Sequence, residues 1–337
     1  NHRLYLKKDY ASEEIKAVFV NSATGDTKET VMKREADGDG FFQYACMGDT
    51  AAYNKVSFVY NGDETYELAF NELVDGWYLS SYGVFPCTEG VPFTRDIPLT
   101  QLTFSFQDND KDVYVWTPAD YKPDADQKYS VIYLFDGDRA LANVDGQSGW
   151  NVPESVTSAM KQSDFQAIVV GIATPEVTRY QELVPDLGKP TPGAAEEYSV
   201  RDGSAFCEFV VNTVMPAIEK QYNVYTDPAH TAIAGSSLGG LESFYIGMEH
   251  PEKFGTVGAM SSSFGIYSES SWEAYLKQKD FSRGVPFMYL YAGDDYKDNG
   301  FATRQMMTLL EQLGYPQEKR VLDLYEKGDH LMPFWRY

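Results

Sequence analysis

The run Thr231-Ala232-Ile233-Ala234-Gly235-Ser236-Ser237-Leu238-Gly239 constrains this chain more than any other. Strand-forming residues lead straight into Gly-x-Ser-x-Gly, and a helical pattern follows over Gly239–Met248. A chain that passes so abruptly from strand to helix must turn sharply. A side chain at either glycine would strike the strand or the helix, and the serine between them is forced into a strained backbone conformation. The helix start then points free N–H groups, and the positive end of its dipole, at whatever lies beside that serine. Ser237 is therefore the candidate nucleophile. Its neighbour Ser236 falls outside the motif frame.

Such a turn needs a parallel sheet around it, and the rest of the chain supplies one. From about residue 100, strand runs alternate with helical ones. Val113–Trp116, Tyr129–Phe135 and Ala167–Ile172 read as strands, the second as a buried one and the third as a buried one without polar interruption. Helical stretches lie at Val152–Met160 and Ala205–Tyr222. Strands at Thr256–Met260, Pro286–Ala292 and Arg320–Tyr325 and a helix at Phe301–Leu313 complete the series. This alternation predicts an α/β fold, a doubly wound and mostly parallel sheet. Pro185–Gly193 reads as a surface loop near the sheet's carboxyl edge.

The first hundred residues follow a different rule. Short β-type runs alternate with turn residues, and Asn61-Gly62 between two aromatic-rich runs is a hairpin signal. Two domains are therefore expected, a small antiparallel β-sandwich over 1–98 and an α/β domain over 99–337. In the sandwich, Trp77, Tyr78, Tyr82 and Phe85 could form a sugar-stacking face, although half-buried sandwich aromatics are the commoner case. Cys46 and Cys87 share this domain and are expected to be bridged. Cys207, inside a helical stretch, should be free and buried.

Composition narrows the chemistry. Fifty acidic residues against 28 basic ones give a net charge of −22, which repels nucleic-acid phosphates and anionic lipid. No apolar run is long enough to cross a membrane. The three cysteines form no CxxC or CxxH pattern, so no metal site is expected. Neither nucleic acid nor membrane is an expected partner. The start at Asn1 lacks both an initiator Met and a signal-peptide pattern. A trimmed, secreted or cell-surface protein is the expectation, with the cytoplasm as the alternative.

The base follows by elimination among four histidines. His2 is terminal. His230 precedes the nucleophile strand at the wrong edge, and His250 ends the following helix. His330 lies in a loop after the last strand, where an α/β-hydrolase carries its histidine. The acid should follow the strand ending at Gly293. Asp295 is the first choice there, with Asp294 and Asp298 as competitors. The backbone N–H of Leu238, with that of Gly137 or Asp138, is the expected oxyanion hole.

Further residues carry a family resemblance. The elbow Ala234–Leu241 continues into His250-Pro251-Glu252-Lys253-Phe254-Gly255 and ends in Gly258–Phe264. Tyr133–Gly137 and Thr174–Pro185, with Arg179 and Glu182, complete the pattern. From about residue 105 onward the chain resembles the putative esterase family. That group includes esterase D, enterochelin-esterase-like proteins, and the feruloyl and acetyl-xylan esterases. The resemblance implies an α/β-hydrolase that cleaves carboxylic esters without a cofactor. The favoured substrate is an acetyl or feruloyl ester on plant polysaccharide or oligosaccharide. A siderophore-type ester is the alternative. Asp136, Trp150 and Arg179 are expected to bind substrate. The first hundred residues loosely resemble the β-modules that precede such esterases. One departure stands out. The family's acid falls three residues after a glycine like Gly293, where this chain has Tyr296. The acid is then displaced, or the protein is a degenerate, carbohydrate-binding homologue.

Overall fold

In a computed structural model, the described residues are 2–8, 12, 14–35, 42–65, 67–69, 76–80, 83–87, 99–141, 150, 152–293, 298–325 and 330. They divide into two compact units, Asn1–Arg95 and Asp96–Trp335.

Among the described residues, the first unit holds ten strands. They are β1 (His2–Lys8), β2 (Ile15–Val20), β3 (Thr27–Val31), β4 (Lys33–Glu35), β5 (Phe42–Gly48), β6 (Lys55–Tyr60), β7 (Asp63–Glu64), β8 (Leu68–Ala69), β9 (Gly76–Ser80) and β10 (Gly83–Cys87). One sheet runs β10-β9-β1-β5-β4, and the other runs β3-β2-β6-β7 with β8 beside β6. Alternate residues of the strands, among them Leu4, Leu6, Ile15, Ala17, Phe19, Val56, Phe58 and Trp77, form one core. Asn61 and Gly62 both take positive φ, 47° and 84°, as the two-residue hairpin between β6 and β7 requires.

Three expectations for this unit need correction. The pairing is not purely antiparallel, because β9 runs parallel to β1. Trp77 cannot stack on a sugar: it is 1% exposed and packs against Phe58 in the core. The side chains of Tyr78 and Phe85, and the whole of Tyr82, lie outside the described residues. The bridge between Cys46 and Cys87 is absent, since Cys46 is a buried free thiol whose pKa burial pushes up to about 11. Sheet topology explains this. Cys87 on β10 is separated from Cys46 on β5 by both β9 and β1. At about 4.8 Å per ladder step the gap is roughly 14 Å, and a disulfide tolerates Cα separations of only about 4.4–6.8 Å.

The second unit is built on β11 (Thr100–Phe106), β12 (Asn109–Trp116), β13 (Ser130–Phe135), β14 (Ala167–Ile172), β15 (Thr231–Ser236), β16 (Thr256–Met260), β17 (Phe287–Gly293) and β18 (Arg320–Tyr325). Their order is β11-β12-β14-β13-β15-β16-β17-β18. The first two pairings are antiparallel and the rest parallel. Eight α-helices are found among its described residues: α1 (Gly137–Ala140), α2 (Val152–Gln162), α3 (Glu176–Glu182), α4 (Gly203–Phe209), α5 (Met215–Gln221), α6 (Leu238–Glu249), α7 (Glu269–Leu276) and α8 (Gly300–Gln312).

Strand alternation places the two faces in separate cores. Val131, Tyr133 and Phe135 join one with Ile168, Val170, Phe206 and Phe244. Leu134 joins the other with Val169, Trp150 and Leu141. The helical stretch expected over Ala205–Tyr222 is instead α4 and α5 joined by a π-helical turn at Val210–Val214. Pro216 cannot donate the N–H that a regular helix would use there. Cys207 in α4 is free and 2% exposed. In the loop after α3, Pro185 and Pro190 are buried rather than on the surface. Tyr267 donates from its hydroxyl to the Pro185 carbonyl at 2.5 Å, and Thr191 donates to Ile266 O at 2.8 Å.

The strand spacing between Cys46 and Cys87 carries a direct expectation. All three cysteines should titrate as thiols in the denatured, unreduced protein. A single free thiol would restore the bridge and contradict the sheet order.

Candidate active site

Ser237 sits between β15 and α6 with φ 58° and ψ −119°. A residue with a Cβ reaches that conformation only under constraint, and three contacts supply it. The Ser237 N–H donates to Met260 O at 2.9 Å, and the Ser263 N–H donates to Ser237 O at 3.1 Å. Gly235 and Gly239 meet so closely that a Cβ on Gly235 would lie 2.5 Å from the Gly239 carbonyl carbon. The strand-to-helix turn is thus closed by glycine contact and tied to the end of the neighbouring strand β16.

Ser237 Oγ lies 2.9 Å from His330 Nε2, and His330 Nδ1 lies 2.8 Å from Asp298 Oδ1. His330 is therefore the histidine beside the serine. His230 pairs with Asp227 and stacks on Tyr225 at the start of β15, while His250 caps the end of α6. The side chain of His2 is outside the described residues.

The carboxylate is Asp298, which replaces Asp295 in the expected arrangement; Asp294 and Asp295 lie outside the described residues. Asp298 lies immediately before Asn299-Gly300 at the start of α8, five residues past Gly293. Four donors converge on its two oxygens. Gly293 N–H and Ser261 Oγ–H reach Oδ2 at 2.6 and 2.7 Å, and Asn299 N–H and His330 reach Oδ1 at 2.6 and 2.8 Å. Burial pushes this carboxyl up, but the bonds from His330, Ser261, Gly293 and Asn299 outweigh it and hold the pKa below the usual carboxylate range. A charged Asp298 accepts the proton of Nδ1, which leaves Nε2 as an acceptor facing Ser237. Ser261, Asn299 and Ser263 were not singled out from sequence. The signal that could have found them is the hydroxyl triplet Ser261-Ser262-Ser263 at the carboxyl end of a core strand.

The second wall of the site is the turn after β13. Asp136 adopts the left-handed conformation, φ 56° and ψ 37°, and opens α1. A Cβ on Gly137 would fall 2.2 Å from the Gly171 backbone, so this turn packs directly on β14. Asp136 is 1% exposed, and its expected contact with substrate needs correction. Its oxygens take Arg179 Nε at 2.6 Å, Arg179 Nη2 at 2.8 Å and Thr174 Oγ1 at 2.6 Å. Both members of this ion pair are committed to each other beneath the turn. Arg179 also reaches the Ser236 carbonyl at 3.5 Å, which links the turn to the nucleophile strand. On the same helix α3, Glu182 takes both its oxygens to Lys111 Nζ at 2.7 Å, again buried. Trp150, also expected to bind substrate, is a core residue, 3% exposed beside Leu134 and Val169.

The two oxyanion candidates Leu238 and Gly137 share one local feature. Leu238 and Gly137 each begin a helix, and the first N–H groups of a helix have no intrahelical acceptor. Asp138, the other candidate, accepts at its carboxylate from Thr174 N at 3.2 Å. A hydroxyl, an imidazole and a buried carboxylate in hydrogen-bonded series, with helix-start N–H groups alongside, can carry out nucleophilic acyl transfer.

Residues 106–283, a little over half of the chain, match the family described as Putative esterase. The chain belongs to the Putative esterase family. The "Uncharacterized protein YbbA" of Bacillus subtilis is 22% identical over 222 residues, which cover 64% of this chain and 83% of YbbA. Among solved structures, the enterobactin esterase FES from Shigella flexneri matches with a TM-score of 0.56 at 17% identity. That match covers 99% of this chain and 89% of FES. A ferulic acid esterase matches with a TM-score of 0.52 at 19% identity, covering 71% of this chain and 93% of its own. At these identities the structures speak for the fold, an α/β-hydrolase. This esterase is a carboxylic ester hydrolase.

The four bonds to Asp298 make stability depend on pH in a known direction. A carboxyl depressed in the native state contributes fully above its unfolded pKa of about 4, and that contribution is lost as pH falls through the native value. Denaturant unfolding of Asp298→Asn and wild type should therefore differ most near neutrality and converge in acid. A constant difference at all pH values would contradict a charged Asp298. At the second wall, Asp136→Asn leaves Arg179 buried without its charge partner and should cost about 3–5 kcal/mol.

Proposed function

We propose that this esterase uses Ser237 as nucleophile, His330 as general base and acid, and Asp298 as the orienting carboxylate. The observation that carries the reading is the unbroken series Asp298–His330–Ser237, at 2.8 and 2.9 Å, with the serine strained at a helix start. Ser237 Oγ attacks the ester carbonyl while Nε2 of His330 takes its proton. The N–H groups of Leu238 and Gly137 receive the oxyanion. His330 then protonates the leaving alcohol, and water cleaves the acyl-enzyme through the same base. No step calls on a cofactor. Asp298, two residues beyond Tyr296 and bonded to His330, supports the catalytic reading over a degenerate, carbohydrate-binding one.

For the substrate we favour an acetyl or feruloyl ester on plant polysaccharide or oligosaccharide, met outside the cell. The net charge of −22 supports a neutral ligand over an anionic one. A siderophore-type ester is the second reading. The specific support for it is coverage: the match to the enterobactin esterase spans 99% of this chain, against 71% for the ferulic acid esterase.

Ser237→Ala should abolish hydrolysis of p-nitrophenyl acetate without loss of folding. Adding His330→Ala should make matters hardly worse, because such residues act as a unit. Residual activity above a few per cent of wild type would remove Ser237 from the role. Substrate class is decided by comparing kcat/KM on acetylated xylan, feruloylated arabinoxylan and a catechol trilactone. Preference for the trilactone would overturn the glycan-ester reading and leave ester hydrolysis intact.

A further inference from the structure

We propose that Ser263 is a further catalytic residue, acting on the nucleophile's oxygen during breakdown of the acyl-enzyme. The inference rests on the reading of Ser237 as nucleophile.

Ser263 Oγ lies 3.3 Å from Ser237 Oγ, and the Ser263 N–H donates to the Ser237 carbonyl at 3.1 Å. The second bond fixes the first, because it holds the Ser263 backbone against the nucleophile residue itself. Distance alone leaves open which hydroxyl donates, but the triad decides it. Asp298 is a charged acceptor on His330 Nδ1, so Nδ1 carries the proton and Nε2 accepts. Ser237 has one proton, and it goes to Nε2 at 2.9 Å. Ser263 must then be the donor to Ser237 Oγ.

The consequence differs between the two half-reactions. During acylation of an activated ester, Ser237 Oγ loses its proton to His330 and forms a bond to carbon. The aryloxide departs with little help, and the bond from Ser263 adds little. In the acyl-enzyme, Oγ has become an ester oxygen and can no longer donate to His330. Among the described residues, Ser263 is then the hydroxyl left beside it. Water attacks the acyl carbon as Nε2 takes one of its protons. The tetrahedral intermediate next breaks its bond to Ser237 Oγ, and that electron pair returns to Oγ. His330 gives its proton to the same oxygen, which restores the free serine and releases the acid. A donor on Oγ withdraws charge from the acyl carbon before attack and stabilises the charge that gathers on Oγ at departure. Loss of Ser263 should therefore slow deacylation selectively.

The experiment compares wild type, Ser263→Ala and Ser263→Thr. Turnover of p-nitrophenyl acetate is read with the acyl-enzyme fraction at steady state, by acid quench and intact mass spectrometry. Inactivation by a p-nitrophenyl alkylphosphonate is read separately, since it reports only attack by Ser237. For Ser263→Ala we expect turnover to fall about three- to tenfold, the net worth of one neutral hydrogen bond. Acyl-enzyme should accumulate, and phosphonate inactivation should stay within about twofold of wild type. Ser263→Thr keeps the hydroxyl and should stay close to wild type on all three measures. Equal losses in turnover and in inactivation would overturn the proposal in favour of a packing role, and unchanged turnover would overturn it outright. If wild type neither hydrolyses the ester nor reacts with the phosphonate, the assignment of Ser237 fails as well. An active wild type with an unaffected Ser263→Ala variant sinks the Ser263 proposal alone.

Discussion

The active unit depends on one backbone constraint, the positive φ at Ser237. That conformation is unfavourable for a residue with a side chain, at a cost of order 1–3 kcal/mol. It persists because its surroundings allow no other. The near contact of Gly235 with Gly239 fixes the angle between β15 and α6. The bonds from Ser237 N to Met260 O and from Ser263 N to Ser237 O fix the turn against β16. The same constraint that strains the backbone lifts Oγ out of the sheet toward His330 and puts Leu238 at the first position of a helix, whose N–H has no intrahelical acceptor. Packing energy from the buried central strands β13 and β14 and their neighbours is thereby converted into a positioned hydroxyl at a helix start.

Buried polar groups around the turn hold one another rather than the substrate. Asp136 and Arg179 form a two-point ion pair under the β13 turn, and Lys111 with Glu182 pins the far end of the same short helix α3. These groups brace the positions of Gly137 and Ser236. Asp298 is held by the same principle, with four donors on two oxygens. A carboxylate so fully satisfied stays charged and keeps a single orientation, as an imidazole in a fixed tautomer needs.

Much of this was legible in the sequence where backbone geometry dictates residue type. Gly-x-Ser-x-Gly between a strand and a helix fixed the nucleophile candidate, and four histidines left few places for the base. Alternating strands and helices after residue 100 gave the sheet. The acid was harder to read. Asp294, Asp295 and Asp298 are identical in type and crowded into one segment, and the deciding fact is the direction in which a turn presents each. Proximity to Gly293 favours Asp295 in the sequence, while the carboxylate that reaches His330 sits at the mouth of α8. Asp136, Arg179 and Trp150 illustrate the opposite failure. Their residue types suggest ligand contact, but burial commits them elsewhere. The expected Cys46–Cys87 bridge fell to strand order, which depends on the parallel pairing of β9 with β1 and has no local sequence signal.

The most direct measurement is the turnover number of Asp298→Asn beside that of Asp295→Asn on one small activated ester. With Asp298 orienting His330, the first variant should lose about four orders of magnitude, and the second should remain within a few-fold of wild type. A severe loss in Asp295→Asn with a mild one in Asp298→Asn would contradict the account.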